Sequence, residues 1–265
     1  MQSPFVISSE VASLVISSEV SSLVVLSEAS SFVISSERSE SRNLNNDHMT
    51  INTGLIVLHT TKFGENSLVV HTLSKEYGRR SFLVRGVGKK SMMTLFLPLN
   101  VLEADILDTG KSDLYVARNL VARHPLLGIR NNMFKNSMTM FMSEVLYRIV
   151  REGAAEQGLF EWCEKNILLL DAISTDFSNF HIRFLLELTV ALGFSPEARD
   201  LIPFVGAHYP VVEKFMTLSF AESMLIPLNG QVRNEIAEEI LRYIEFHTES
   251  SVNINSLRIL RELFA

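Results

Sequence analysis

Apolar residues change their rhythm once along this chain, near Pro125. Before it they come in short β-rich runs, Leu55–His59, Leu68–Leu73 and Ser81–Arg85, separated by turns around Gly64 and Gly78. Pro98–Leu107 reads as a fourth strand, Asp108–Lys111 as a hairpin turn and Leu114–Arg118 as a fifth strand. Met92–Leu97 is the short helix or loop between the third and fourth strands. After Pro125 the spacing is helical. Met138, Met142, Val145 and Ile149 form one stripe, and Leu159, Cys163, Ile167 and Leu170 a second. Phe177, Phe180, Phe184 and Leu188 form a third, closed by Gly193 and Pro196. A loop rich in proline (Pro203, Pro210, Pro227) is expected next, then a stripe of Val232, Ile236, Ile240 and Tyr243. A last helix opens at Asn255 or Ser256 and carries Leu257, Leu260 and Phe264.

Five strands in about 70 residues is the size of an OB-fold barrel. The expected fold class is therefore α+β, with a five-stranded OB-fold barrel at 49–125 followed by an all-α domain at 126–265. Residues 1–48 stand apart. Positions 5–40 repeat a nine-residue unit (FVISSEVAS, LVISSEVSS, LVVLSEASS, FVISSERSE) that Glu10, Glu19 and Glu28 interrupt. A signal peptide needs a basic start and an unbroken apolar stretch, and this segment has neither. It reads as disordered or loosely β-prone, a translated tandem repeat ahead of a start at Met49.

Charge sharpens this division. The chain carries a net −6. Residues 49–125 nevertheless hold ten Lys and Arg against six Asp and Glu, a local net of +4. Screening over roughly 8–10 Å makes the local balance the relevant one. Cys163 is the single cysteine, which excludes an internal disulfide and a cysteine-built zinc site. The apolar runs fall far short of the ~20 residues that span a bilayer, so a cytoplasmic protein is expected.

Arg79, Arg80, Arg85, Lys89 and Lys90 fall within twelve residues, and Lys62, Arg118 and Arg123 can join them from neighbouring strands. Strand alternation puts Arg79 and Arg85 on one face and Arg80 on the other. These eight cations are the candidate phosphate-binding set. Phe63, Tyr77, Phe82, Phe96 and Tyr115 are aromatics able to stack on bases, although Phe82 alternates with Val84 and reads as core. A phosphate-loop reading of Gly86–Ser91 fails, because Val84 and Lys89 stand where glycine is required. The seven histidines show no metal-binding spacing, and His59 and His71 read as a pair across adjacent strands. There is no G-x-S-x-G elbow, and Glu161/Glu164 and Glu238-Glu239 read as solvated helix surface. No catalytic group is expected.

Several segments resemble one family in colinear order. Gly54–Leu58, Gly64–Val70, Gly78-Arg79-Arg80 and Val84–Lys89 are similar to the N-terminal domain of the bacterial recombination mediator family RecO. Phe184–Leu188 with Leu192–Pro196, Tyr243–His247 and Ser256–Arg261 resemble its helical part. The resemblance implies a non-enzymatic mediator of the RecF pathway. Such a mediator binds single- and double-stranded DNA, anneals strands and helps load recombinase at gaps. It further implies nucleoid association and two protein partners, RecR and the acidic C-terminal tail of single-stranded DNA-binding protein. Arg148, Arg151 and Arg183 are the candidate rim for that tail. Many members carry a four-cysteine zinc motif after the G-F-x-P segment. Ala198–Pro210 contains no cysteine, so no metal or other cofactor is expected, and Leu201, Ile202, Phe204 and Val205 are expected to pack the loop. The alternative is an adaptor whose barrel grips an acidic protein.

Overall fold

Strand β1 (Thr50–Lys62) is buried on both faces over Thr53–Leu58. Leu55 and Val57 point into one core, Ile56 and Leu58 into another. A strand with two apolar faces has to be covered twice. Here one cover is the barrel's own interior and the other is the helical half of the chain. The computed structural model describes residues 50–88, 90–107, 114–153, 158–250 and 253–264, with backbone only for Lys90, Ser91 and Ala198. The nonapeptide repeat, the Asp108–Lys111 turn and Lys89 lie outside the described residues.

The remaining strands are β2 (Ser67–Ser74), β3 (Gly78–Arg85), β4 (Val101–Leu107) and β5 (Tyr115–Ala122). They close into a barrel in the order β1-β2-β3-β5-β4. All pairings are antiparallel except β3–β5, which is parallel and limited to Phe82↔Tyr115 and Leu83↔Val116. This is an OB-fold barrel. Its interior holds Leu55, Val57, Leu68, Val70, Phe82, Val84, Leu102, Ala104, Ile106 and Ala117. Phe82 is fully buried there, as its alternation with Val84 predicts. A short helix α1 (Lys90–Met93) and a 3-10 turn (Thr94–Phe96) fill the interval before β4. The fourth strand starts at Val101 rather than Pro98, because Leu99 takes a left-handed φ of 58° and docks its N–H on the Val57 carbonyl.

The helical half runs α2 (Leu127–Arg130), α3 (Met133–Ile149), α4 (Leu159–Ala172), α5 (Phe180–Ala191), α6 (Ala198–Val205), α7 (Tyr209–Thr217), α8 (Phe220–Met224), α9 (Gly230–Thr248) and α10 (Ser256–Leu263). Every residue of the first two expected stripes is buried. α5 stops at Gly193, whose φ of 85° lets its N–H fold back onto the Val190 carbonyl.

Of the proline-rich stretch, only the part around Pro227 is a loop. Pro203 lies inside α6, and Pro210 sits in the first turn of α7, where the missing N–H is not needed. Glu197 and Asp200 form a capping box at the start of α6. Leu201 and Val205 are buried and Phe204 packs against Tyr243, whereas Ile202 faces solvent.

The two halves meet closely. Phe160 of α4 packs onto β1 where Gly54 has no side chain, and a Cβ there would lie 2.6 Å from the ring. Lys75 pairs with Glu161 at 3.2 Å across the same boundary.

Candidate nucleic-acid interface

The outward face of β1–β2–β3 divides into rows set by strand register. The innermost row, His59–His71–Ser81, lies beneath the end of α3. The His59 and His71 rings stack at 5.7 Å, and Tyr147 of α3 lies 5.0 Å from the first and 5.2 Å from the second. His71 Nδ1 is 2.8 Å from Ser81 Oγ, and Ser81 donates to Glu152 at 3.1 Å. Burial, then the nearby His59 and Arg79, lower the His71 pKa, against a smaller upward pull from Glu152. The next row is Thr61–Val69–Leu83.

The outermost row lies at the end of the barrel. Phe63 N–H donates to the Ser67 carbonyl at 2.9 Å, and Ser67 pairs with Arg85. Phe63, Ser67 and Arg85 therefore share one row and one face. Arg118 of β5 lies two residues beyond the end of the parallel β3–β5 pairing and opposite Asp105 of β4. Lys62 precedes this row on β1, opposite Leu68. The β1–β2 tip is fixed by two further bonds, from the Gly86 and Val87 N–H groups to the Asn66 carbonyl. Lys62, Phe63, Arg85 and Arg118 are exposed. Among the described residues no carboxylate lies within ion-pair distance of Lys62, Arg85 or Arg118. Asp105, opposite Arg118, accepts instead from Asn52 at 3.0 Å and Asn119 at 2.7 Å, and these bonds hold its pKa down.

The other candidate cations are placed differently. Arg79 lies some six residues, about 20 Å at ~3.3 Å per residue, from Arg85. Its Nη1 donates to the Val150 carbonyl at 3.1 Å and its guanidinium lies 4.7 Å from the Tyr147 ring centroid. Arg80 has the inward parity of Phe82 and Val84. Its guanidinium covers Tyr115 at 4.0 Å and Tyr77 at 5.9 Å, at the opposite end of the barrel from Arg85. Arg123 is held by Glu103 at 3.4 Å and Glu164 at 3.1 Å. Lys90 opens α1 directly after the Gly86–Gly88 stretch; its side chain and all of Lys89 lie outside the described residues. Sequence reasoning thus names the cations of the rim but does not separate them from those used inside the fold. The separating signal is register, which needs the strand pairings.

Of the three residues of the expected partner rim, Arg183 is taken into the interior, while Arg148 and Arg151 are exposed. Arg183 is 6% exposed and binds Glu187 at 2.7 Å together with the Phe215 and Leu218 carbonyls. Arg151 donates to the Thr248 carbonyl at 3.1 Å, and Arg148 is exposed on α3 beside Glu144.

The description "Recombination protein O N terminal" matches residues 49–123, and "Recombination protein O C terminal" matches residues 130–202. The chain belongs to the RecO family. Curated RecO relatives match over nearly their whole length. The DNA repair protein RecO of Phocaeicola vulgatus is 29% identical over 234 residues, covering 79% of this chain and 97% of the relative. That of Azobacteroides pseudotrichonymphae is 25% identical over 240 residues, covering 82% and 100%. That of Flavobacterium johnsoniae is 28% identical over 238 residues, with the same coverage. In this RecO chain the first matched region takes in the five barrel strands, the second runs from the end of α2 into α6, and no described helix is long and apolar enough to cross a membrane.

Proposed function

We propose that the chain is a non-enzymatic mediator of DNA repair and recombination that holds DNA at Lys62, Arg85 and Arg118 of its barrel. The observation that carries this reading is the state of those three cations. They are exposed, carried by β1, β3 and β5 of the barrel, and unpaired among the described residues, in a chain whose net charge is −6. Lys89 and Lys90 follow directly in sequence and extend the same set. Cations left without carboxylates at a protein surface are available to phosphates, and each such contact releases counterions. The relatives named as DNA repair proteins point the same way.

Strand annealing and recombinase loading at gaps belong to this reading. So do docking of RecR and of the acidic tail of single-stranded DNA-binding protein on the helical half, and action at the nucleoid. Arg148 and Arg151 are the exposed members of the expected tail rim and remain candidates for it. Arg79, Arg80 and Arg123 contribute to the field around the barrel, while their near contacts lie within the protein.

The test is fluorescence anisotropy of a labelled oligonucleotide against the full chain. Wild type binds with an affinity that falls as salt rises, and replacing Arg85, Lys89 and Lys90 together by Glu removes binding while leaving the urea midpoint unchanged. An adaptor for an acidic protein would bind no oligonucleotide, or bind it without response to salt.

A further inference from the structure

The outer row holds one member that phosphate binding does not use. Phe63 is 56% exposed at the β1–β2 tip, and its ring makes no aromatic or cation contact with the described residues. Exposed phenylalanine is common enough to need no explanation when it is isolated. This one is not isolated. Lys62 precedes it, Arg85 lies two strands away in the same row, and between them stands Ser67, whose side chain is the smallest in the row. Two strand spacings are about 10 Å, at ~4.8 Å each. The row therefore carries an aromatic and an arginine on backbones about 10 Å apart, with a serine between them.

The backbone that carries the ring is also held. The Phe63 N–H is bonded to Ser67, and Asn66 accepts from both Gly86 and Val87. The Asn66 amide also fills the space beside Gly88, where a Cβ would lie 3.0 Å from its oxygen. A tip fixed by β3's exit loop presents its aromatic at low entropic cost. Glu65 is the one carboxylate of the tip and faces solvent without a partner among the described residues.

We propose that Phe63 is a base-stacking residue. One unpaired base of a single strand lies on its ring, over Ser67, while Arg85 takes the adjoining phosphate. The proposal rests on the DNA-binding reading above and adds a preference to it. Bases inside a duplex are stacked on each other and offer no face to a side chain, so only single-stranded or gapped DNA gains this contact. Charge alone does not make that distinction, because both forms carry phosphates.

The experiment compares a thymidine oligonucleotide with an abasic strand of equal length and charge, each titrated against wild type, Phe63→Ala and Phe63→Trp. Stacking on one base is expected to make wild type favour thymidine about 5- to 140-fold. Phe63→Ala brings the two affinities together by weakening thymidine binding alone, Phe63→Trp restores the preference, and affinity for duplex DNA is the same in all three proteins. Equal wild-type affinity for both strands, or a thymidine preference that survives Phe63→Ala, overturns the stacking role and leaves phosphate binding standing. Failure of wild type to bind either strand overturns both.

Discussion

Arg79 of β3 donates through Nη1 to the carbonyl of Val150, 3.1 Å away at the end of α3, and so ties the barrel to the helical half. The bond places a cation at the negative end of the α3 dipole. The same contact is sealed by the Gly153 N–H, which donates to the Arg79 carbonyl at 2.9 Å. Arg85, on the same strand and face, has no such partner among the described residues. Two arginines of one strand are thereby given different work.

Replacing Arg79 with Met is expected to lower stability by roughly 2 kcal/mol, the cost of a charged hydrogen bond together with its uncapped acceptor. Arg85→Met is expected to stay within ~0.5 kcal/mol of wild type, as surface substitutions do. Urea midpoints of the two variants measure the difference directly. Equal midpoints would show that Arg79 is not holding the halves together.

Arg183 makes the sharper case. It is buried, bonded to Glu187 and to two carbonyls at the end of α7. Arg183→Met leaves Glu187 beneath the surface without its partner, and removing one member of a buried pair costs about 3–5 kcal/mol. The expected outcome is a large fall in the urea midpoint or in soluble yield. A variant of native stability would return Arg183 to the set of residues available to partners.

The pH dependence of stability is expected to report on His181. It is fully buried between Phe141 and Phe264, near Arg233, and burial pushes its pKa down to about 3. The folded chain therefore keeps this ring neutral, while the unfolded chain protonates it near pH 6.5. Stability is complete above about 6.5 and is lost as the pH falls from there toward 3, by up to about 1.4 kcal/mol per pH unit. His181→Phe should flatten that slope. Urea titrations at pH 7 and pH 5 test it, since wild type should lose about 2 kcal/mol more than the variant over that interval.

At Gly54 a single methyl group is expected to matter. Gly54→Ala places a Cβ 2.6 Å from the Phe160 ring, so β1 and α4 must part. Overpacking of this kind costs about 1–3 kcal/mol. Thermal unfolding would show it, and an unchanged midpoint would mean that Phe160 can turn aside at no cost.

Much of the fold was legible from periodicity. The strands around Leu55, Leu68 and Phe82 and the stripes on α3 and α4 follow from alternation and from helical spacing, which are local properties. The stretch from Ala198 to Thr217 was not legible, because Pro203 and Pro210 read as breakers while the capping box and the packing of Leu201 and Val205 outweigh them. Of the site, the identity of the cations was readable and their division was not. Arg79 and Arg85 have the same type, parity and strand. What separates them is the docking of Tyr147 and Val150 from a helix some 70 residues further on, a contact without a local signature.

The central claim is that unpaired cations of the barrel meet phosphates. The most direct measurement is the slope of log affinity against log salt for a thymidine oligonucleotide, in wild type and in Lys62→Met, Arg85→Met and Arg118→Met. Each neutralisation is expected to flatten the slope by about 0.7 while the Arg183-centred core is untouched. Three slopes identical to that of wild type, at unchanged affinity, would contradict it.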